Sequence, residues 1–179
     1  MSNSIVILSG SPRIDGNTDK LVAAFIEGAE SAGKSVTVFK VADMKIGGCL
    51  GCRYCFEEKG VCVQKDDMPQ ILDAIRNAGT LILASPIYFF TITAQLKLAI
   101  DRTYPLLIES PHPVRRAALL TTYGKGVNAE EGAEKMFNNI CYHLKWDNAG
   151  SVHIGGLRGK DDIVGREELE KAKALGREI

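Results

Sequence analysis

The chain has 179 residues, 45% of them hydrophobic and 25% charged, which is the size and composition of a single globular domain spanning residues 1–179. Its 22 basic residues balance 22 acidic ones, so no strong field favours binding to nucleic acid or to an anionic membrane. No segment approaches the roughly 18 apolar residues of a membrane helix, and the first residues lack an export signal. We therefore expect a cytoplasmic protein with a small ligand.

Apolar, β-rich runs alternate with segments of helical period along the chain. The predicted strands span residues 4–8, 35–41, 80–84, 117–121 and 151–154. The predicted helices span about residues 18–32, a segment after Pro69 carrying Ile71, Leu72 and Ile75, and residues 95–104, 130–144 and 166–177. This alternation is typical of an α/β, doubly wound fold with a parallel sheet between two layers of helices.

In such folds, ligands bind beyond the carboxyl ends of the strands. The first such loop, residues 9–18, is rich in Gly, Ser, Asn and Thr and carries Arg13. Its hydroxyls, its backbone N–H groups and the following helix start favour an anion. The spacing matches no dinucleotide or P-loop motif, so we predict a mononucleotide phosphate; the alternative is a plain turn and helix cap.

A sequence that matches the P-loop pattern, Gly28 to Ser35, is rejected as a nucleotide site. A P-loop follows a strand and opens a helix, whereas this segment closes a helix and opens a strand. It would therefore direct carbonyl groups, not N–H groups, at a phosphate.

The ends of the third and fourth predicted strands also carry unusual loops. Residues 85–93 hold three successive aromatic side chains, Tyr88, Phe89 and Phe90, which suit a planar ring or, alternatively, the core or a subunit contact. Residues 122–126 hold two glycines that let the backbone approach a ligand, unless they form only a turn.

The segments GSPRIDGNTDKL, SPIYFFTITAQLKLAIDR and TYGKG resemble the NAD(P)H-dependent FMN reductase and iron–sulfur flavoprotein group of the flavodoxin-like superfamily. The likeness covers roughly the first 126 residues. It implies a flavodoxin-like sandwich whose five-stranded parallel sheet has the order 2-1-3-4-5. It also implies a homodimer or homotetramer.

The resemblance also assigns an FMN site. Ser11, Arg13, Asn17 and Thr18 would hold the phosphate. The ring would be lined by Pro86, Ile87, Tyr88 and Phe89, with Thr122, Tyr123, Gly124 and Gly126 at its pyrimidine edge. Since flavin chemistry asks little of side chains, we name no catalytic residue, and His112, His143 and His153 lack a motif context.

Four cysteines, Cys49, Cys52, Cys55 and Cys62, lie in a Cys- and Gly-rich stretch over residues 43–65. Their spacing resembles the compact [4Fe–4S] motif of iron–sulfur flavoproteins. Zinc is an alternative ligand, and free or disulfide-paired thiols are another. The lone Cys141 reads as a small apolar residue on a helix.

Two functions remain open. The first is an NAD(P)H-dependent flavin or quinone-type reductase that passes electrons from FMN to a small-molecule acceptor. The second is an electron carrier that links a ferredoxin-like donor to FMN through a cluster. A third reading, an interaction module, would bind no flavin.

Overall fold

The sheet has five parallel strands and one short antiparallel addition. In the computed structural model, residues 3–108 and 114–179 are described. Their strands are β1 (Ser4–Ser9), β2 (Ser35–Lys40), β3 (Thr80–Tyr88), β4 (Thr91–Ile92), β5 (Arg116–Thr122) and β6 (Asp147–Ile154). The parallel strands lie in the order β2-β1-β3-β5-β6, and β4 pairs with β3. The predicted flavodoxin-like order is confirmed, and β4, which was not predicted, shifts the numbers of the last two strands.

The helices also follow the expected alternation. They are α1 (Asn17–Ser31), α2 (Tyr54–Glu57), α3 (Met68–Arg76), α4 (Ala94–Asp101), α5 (Glu131–Leu144) and α6 (Glu168–Glu178). The short helix α2 was not predicted and lies within the Cys-rich stretch. In the described part of the chain, no helix combines the length and the apolar character needed to cross a bilayer.

Alternate side chains of the central strands face opposite layers of helices. On β1, Ile5 and Ile7 pack in a core with Phe25 of α1 and Ala172 of α6. Val6 and Leu8 of the same strand pack with the side chains of α3, α4 and α5 on the other face. This period of two, repeated along the sheet, explains why both faces are apolar and both are covered.

Two strands are four residues longer than predicted. β3 continues to Tyr88, because Ile87 and Tyr88 pair with Ile92 and Thr91 in a tight hairpin. β6 begins at Asp147, which pairs with Arg116. The second predicted loop is therefore partly a strand that projects beyond the sheet.

The segment from Gly28 to Ser35 has no P-loop geometry. Gly28 lies inside α1, where an added Cβ would come 1.9 Å from the carbonyl oxygen of Lys173. Ser35 begins β2. The glycine allows α1 and α6 to pack closely.

Candidate functional site

Three loops at the carboxyl edge of the sheet enclose one cavity of about 360 Å³. Its lining residues are Ser11, Arg13, Asn17, Thr18, Pro86, Ile87, Tyr88, Thr122, Tyr123, Gly124, Leu157 and Arg158. Every residue proposed from the sequence for FMN lines it, except Phe89 and Gly126. The topology thus brings together residues more than a hundred positions apart in the chain, as the strand-end rule requires.

The loop after β1 is shaped for an anion. Gly10 approaches α4 so closely that a Cβ would lie 2.5 Å from Thr93 Oγ1. The Ser11 hydroxyl accepts a hydrogen bond from the backbone N–H of Arg13 (3.3 Å) and keeps its own O–H as a donor. α1 begins at Asn17, and the first N–H groups of a helix have no partner within it. Donors and a partial positive charge therefore meet at this corner.

Asn17 and Thr18 brace the cavity. The Asn17 side chain donates to the carbonyl oxygen of Gly159 (2.9 Å) and accepts from the N–H of Ile163 (3.4 Å). The hydroxyls of Thr18 and Thr122 lie 2.7 Å apart and join the first loop to the third. Both side chains line the cavity, but their polar atoms already have protein partners.

The second loop is locked to the first through buried hydroxyls. Ser85 Oγ accepts from the backbone N–H of Thr93 (3.0 Å), and Thr93 Oγ1 donates to the carbonyl oxygen of Gly10 (2.8 Å). Ile87 and Tyr88 follow on the projecting end of β3 and form the apolar wall of the cavity.

The two phenylalanines form the tip of the hairpin, outside the cavity lining. Phe89 and Phe90 have φ of 50° and 69°, in the left-handed region that bulky residues avoid. Their rings contact each other at a centroid distance of 6.0 Å, and Phe89 is 96% exposed. Gly126 also lies outside the lining residues.

The third loop presents mainly backbone. The Tyr123 N–H donates to the carbonyl oxygen of Ile154 (3.0 Å), so this amide is not free for a ligand. Its ring covers Gly155, where a Cβ would lie 2.5 Å from a ring carbon. Burial and a hydrogen bond to Glu130 raise the pKa of the Tyr123 phenol.

Leu157 and Arg158 were not predicted for the site. They follow β6, whose carboxyl end lies at the same edge of the sheet as the other loops. The strand-end rule, applied to the last strand as well, would have found them.

The four clustered cysteines line a second cavity of about 470 Å³. All four are free thiols. Burial, and to a lesser extent the proximity of the other three cysteines, raises the pKa of the Cys55 thiol. Among residues 3–108 and 114–179, however, no three His, Cys, Asp or Glu side chains converge to hold a metal ion. This conformation thus supports neither the zinc site nor the [4Fe–4S] site considered from the sequence.

A buried arginine holds this second cavity together. Arg102, 1% exposed, donates from Nη1 to Asp66 Oδ2 (2.6 Å) and from Nη2 to Cys62 Sγ (3.3 Å). Burial alone would raise the pKa of the Asp66 carboxyl, but hydrogen bonds from Arg102 and from backbone N–H groups, including that of Gly47, hold it below its usual value. An arginine at the end of a helix gives no sequence signal of such burial.

The histidines take no part in the three-loop cavity as described. His153 lies between Thr121 Oγ1 (2.7 Å) and Glu134 Oε2 (3.0 Å), and neither it nor His143 lines the cavity. His112 lies outside the described residues.

The chain is similar to known proteins over most of its length. Residues 3–155 match a family model described as NADPH-dependent FMN reductase. The chain is 35% identical to an iron–sulfur flavoprotein of Archaeoglobus fulgidus, over 95% of this chain and 76% of that one. It is 32% identical to an iron–sulfur flavoprotein of Methanocaldococcus jannaschii, over 98% of this chain and 94% of that one.

The fold also matches solved structures. An NAD(P)H:quinone oxidoreductase from Methanothermobacter marburgensis superposes with a TM-score of 0.80 at 20% identity, over 99% of this chain and 96% of that one. At this identity the match supports the fold.

Proposed function

The chain belongs to the NADPH-dependent FMN reductase family, and from this premise we propose that it is an NAD(P)H-dependent oxidoreductase that holds FMN in the three-loop cavity. The observation that carries the proposal is the division of that cavity. One end has a guanidinium, a free hydroxyl donor and the start of α1, and the other has an apolar wall. A phosphate and a flat ring suit these two ends.

Each loop has a separate task in this proposal. Ser11 and Arg13 bind the phosphate, while Asn17 and Thr18 keep the loops in register. Pro86, Ile87 and Tyr88 wall the ring, and the third loop, at Thr122, Tyr123 and Gly124, lies at its polar edge. Phe89 and Gly126, outside the cavity, are left out.

Bound FMN would supply hydride acceptance and the passage of electrons to a small-molecule acceptor. The protein's own contribution is to position the ring, to exclude water from its buried side and to place donors near its polar edge. No side chain in the cavity is assigned as a general acid or base.

The test is a flavin titration followed by reduction. We expect the folded protein to bind FMN and its bound flavin to bleach when NADPH or NADH is added without oxygen. Arg13→Ala should weaken FMN binding by about 1.5–3 kcal/mol through the loss of charge-assisted hydrogen bonds. A folded wild-type protein that stays colourless in excess FMN would contradict the proposal.

A second candidate is an electron carrier that uses the four-cysteine cavity. Four free thiols around one cavity and the names of the curated relatives favour it, although the thiols do not converge on a single site. Cys49, Cys52, Cys55 and Cys62 would hold a [4Fe–4S] cluster that receives electrons from a ferredoxin-like partner.

Anaerobic purification with iron and sulfide assays separates the two candidates. A stoichiometric cluster together with no reaction towards pyridine nucleotides would support the carrier. Rapid flavin bleaching by NADPH with no iron present would support the reductase alone.

We also propose that the protein works in the cytoplasm, where reducing conditions keep the thiols free, and that it forms a homodimer or homotetramer. Light scattering on the purified protein measures the subunit number, and a monomer would contradict the second statement.

A further inference from the structure

Two exposed guanidinium groups line the three-loop cavity. Arg13 comes from the loop after β1 and Arg158 from the segment after β6. Neither takes part in the ion pairs found between described residues, although Lys20, Lys160 and Arg166 nearby all do. Two cations that form no ion pair with another described residue thus face one cavity.

The segment that carries Arg158, residues 155–163, is attached to the third loop. The backbone N–H of Gly156 donates to the carbonyl oxygen of Gly124 (2.7 Å). The N–H of Leu157 donates to the carbonyl oxygen of Tyr123 (3.0 Å). The backbone that leads into Arg158 is therefore fixed to the third loop.

The same segment is attached to the first loop. Asn17 bonds to Gly159 and Ile163 on this segment, and Lys160 pairs with Asp15 at 3.2 Å. The segment therefore bridges both sides of the cavity.

Asp162 orders the turn at Arg158 without engaging its side chain in a hydrogen bond. Its Oδ2 accepts from the backbone N–H groups of Arg158 (2.8 Å) and Gly159 (2.7 Å). These backbone bonds, together with the nearby charge of Arg158, hold the pKa of the Asp162 carboxyl below its usual value. The exposed Arg158 guanidinium forms no hydrogen bond with another described residue, so its N–H donors can meet a ligand.

We propose that Arg158 is a phosphate-binding residue that, with Arg13, recognises the phosphate of the mononucleotide and sets a preference for FMN over unphosphorylated flavin. This inference rests on the proposed function. A phosphomonoester carries about 1.5–2 negative charges at pH 7, which two guanidinium groups match, and a planar guanidinium binds it through paired hydrogen bonds.

The test compares FMN with riboflavin, which differ only in the phosphate. We expect Arg158→Gln to weaken FMN binding roughly 10- to 100-fold while leaving riboflavin affinity unchanged. Arg158→Lys should weaken FMN binding less than Arg158→Gln does, because lysine keeps the charge but not the planar pair of donors. Arg177→Gln, which removes an exposed arginine of α6 that does not line the cavity, is the matched control and should change neither affinity.

Other outcomes overturn the inference. An equal loss for FMN and riboflavin would make Arg158 a structural residue, and unchanged FMN affinity would remove it from the phosphate site. A raised KM for NADPH with an unchanged FMN affinity would assign it to the pyridine nucleotide instead. If wild-type protein binds neither flavin, the proposed function itself fails.

Discussion

Arg102 is a charged side chain in a buried position. Its guanidinium is buried against Asp66, Cys62 and the carbonyl oxygen of Gly47, and its Nε has no partner among the described residues. A buried ion pair adds little net stability compared with an apolar pair, but the loss of one partner leaves a charge without compensation. Through its bonds to Gly47 and Cys62, Arg102 joins the Cys-rich stretch to the end of α4.

We expect Arg102→Met to lower the free energy of unfolding by about 3–5 kcal/mol, because it leaves the Asp66 carboxylate largely buried and unpaired. Urea denaturation measures the loss. The matched control is Lys97→Met on the same helix, whose exposed pair with Asp101 at 2.6 Å is worth only about 0.3–0.5 kcal/mol. Equal losses in the two variants would contradict this role for Arg102.

The hairpin between β3 and β4 is strained as an element. A two-residue hairpin loop favours Asn-Gly, because both central residues need positive φ. Here Phe89 and Phe90 occupy those positions, at an expected cost of about 1–2 kcal/mol per residue. Strain of this kind, next to a candidate site, points to a use for the exposed rings other than stability.

Replacing the pair by Phe89→Asn and Phe90→Gly should raise the free energy of unfolding by about 1–2 kcal/mol, since the new residues accept the backbone angles. Thermal and urea unfolding measure the gain. The variant with serine at both positions removes the rings but keeps the backbone strain, so its gain in the free energy of unfolding should be much smaller. A less stable Asn-Gly variant would mean that the rings make stabilising contacts.

The contact between α1 and α6 depends on glycine. An added Cβ at Gly28 would approach the carbonyl oxygen of Lys173, and one at Gly176 would lie 2.1 Å from that of Phe25. Backbone atoms cannot rotate away as a side chain can. The two helices therefore pack with their backbones in close approach.

Gly28→Ala should destabilise the protein, although alanine favours a helix over glycine by about 1 kcal/mol. Forced separation of α1 and α6 costs more, typically about 1–3 kcal/mol and here at the upper end. Urea unfolding measures whether Gly28→Ala lowers or raises the free energy of unfolding. Glu30→Ala, at an exposed position of the same helix, should change stability by less than about 0.5 kcal/mol. A stabilised Gly28→Ala would show that the helices separate freely.

For the whole molecule, several carboxylates make the fold sensitive to acid. Asp66 and Asp162 have lowered pKa values, and the hydrogen bond from Arg166 lowers the pKa of Glu168 from 4.5 to about 2. Between the lowered pKa of such a carboxyl in the folded protein and its usual pKa in the unfolded chain, the unfolded chain binds more protons than the folded one. Stability therefore rises with pH over that interval.

We expect the urea midpoint to be level above about pH 5 and to fall as the pH is lowered from about 4.5 towards 2. Because Glu168 and its partner Arg166 are partly exposed, Glu168 contributes only a small part of this fall in the urea midpoint. Glu168→Gln should flatten the lowest part of the curve and leave the neutral midpoint nearly unchanged. A midpoint independent of pH over this range would contradict the lowered pKa values.

Much of the architecture follows from local pattern. The apolar stripe of α3 and the alternation of strands with helices are properties of neighbouring residues, so the layers could be anticipated, whereas the strand order came from the family resemblance. The loops after β1, β3 and β5 could be assigned to one edge, because parallel strands end together.

Short motifs and periodicity were sufficient to predict the family, the doubly wound sheet and most of the residues around the three-loop cavity. The bracing of residues 155–163 by Asn17, the position of Arg158 at the cavity and the burial of Arg102 beside Cys62 became visible in the three-dimensional contacts alone. The same contacts show that Phe89 is exposed outside the cavity lining and that the four thiols share a cavity without converging, as far as the described residues go. The reason is physical: such contacts join segments far apart in the chain, and their geometry is set by packing, which no local pattern encodes.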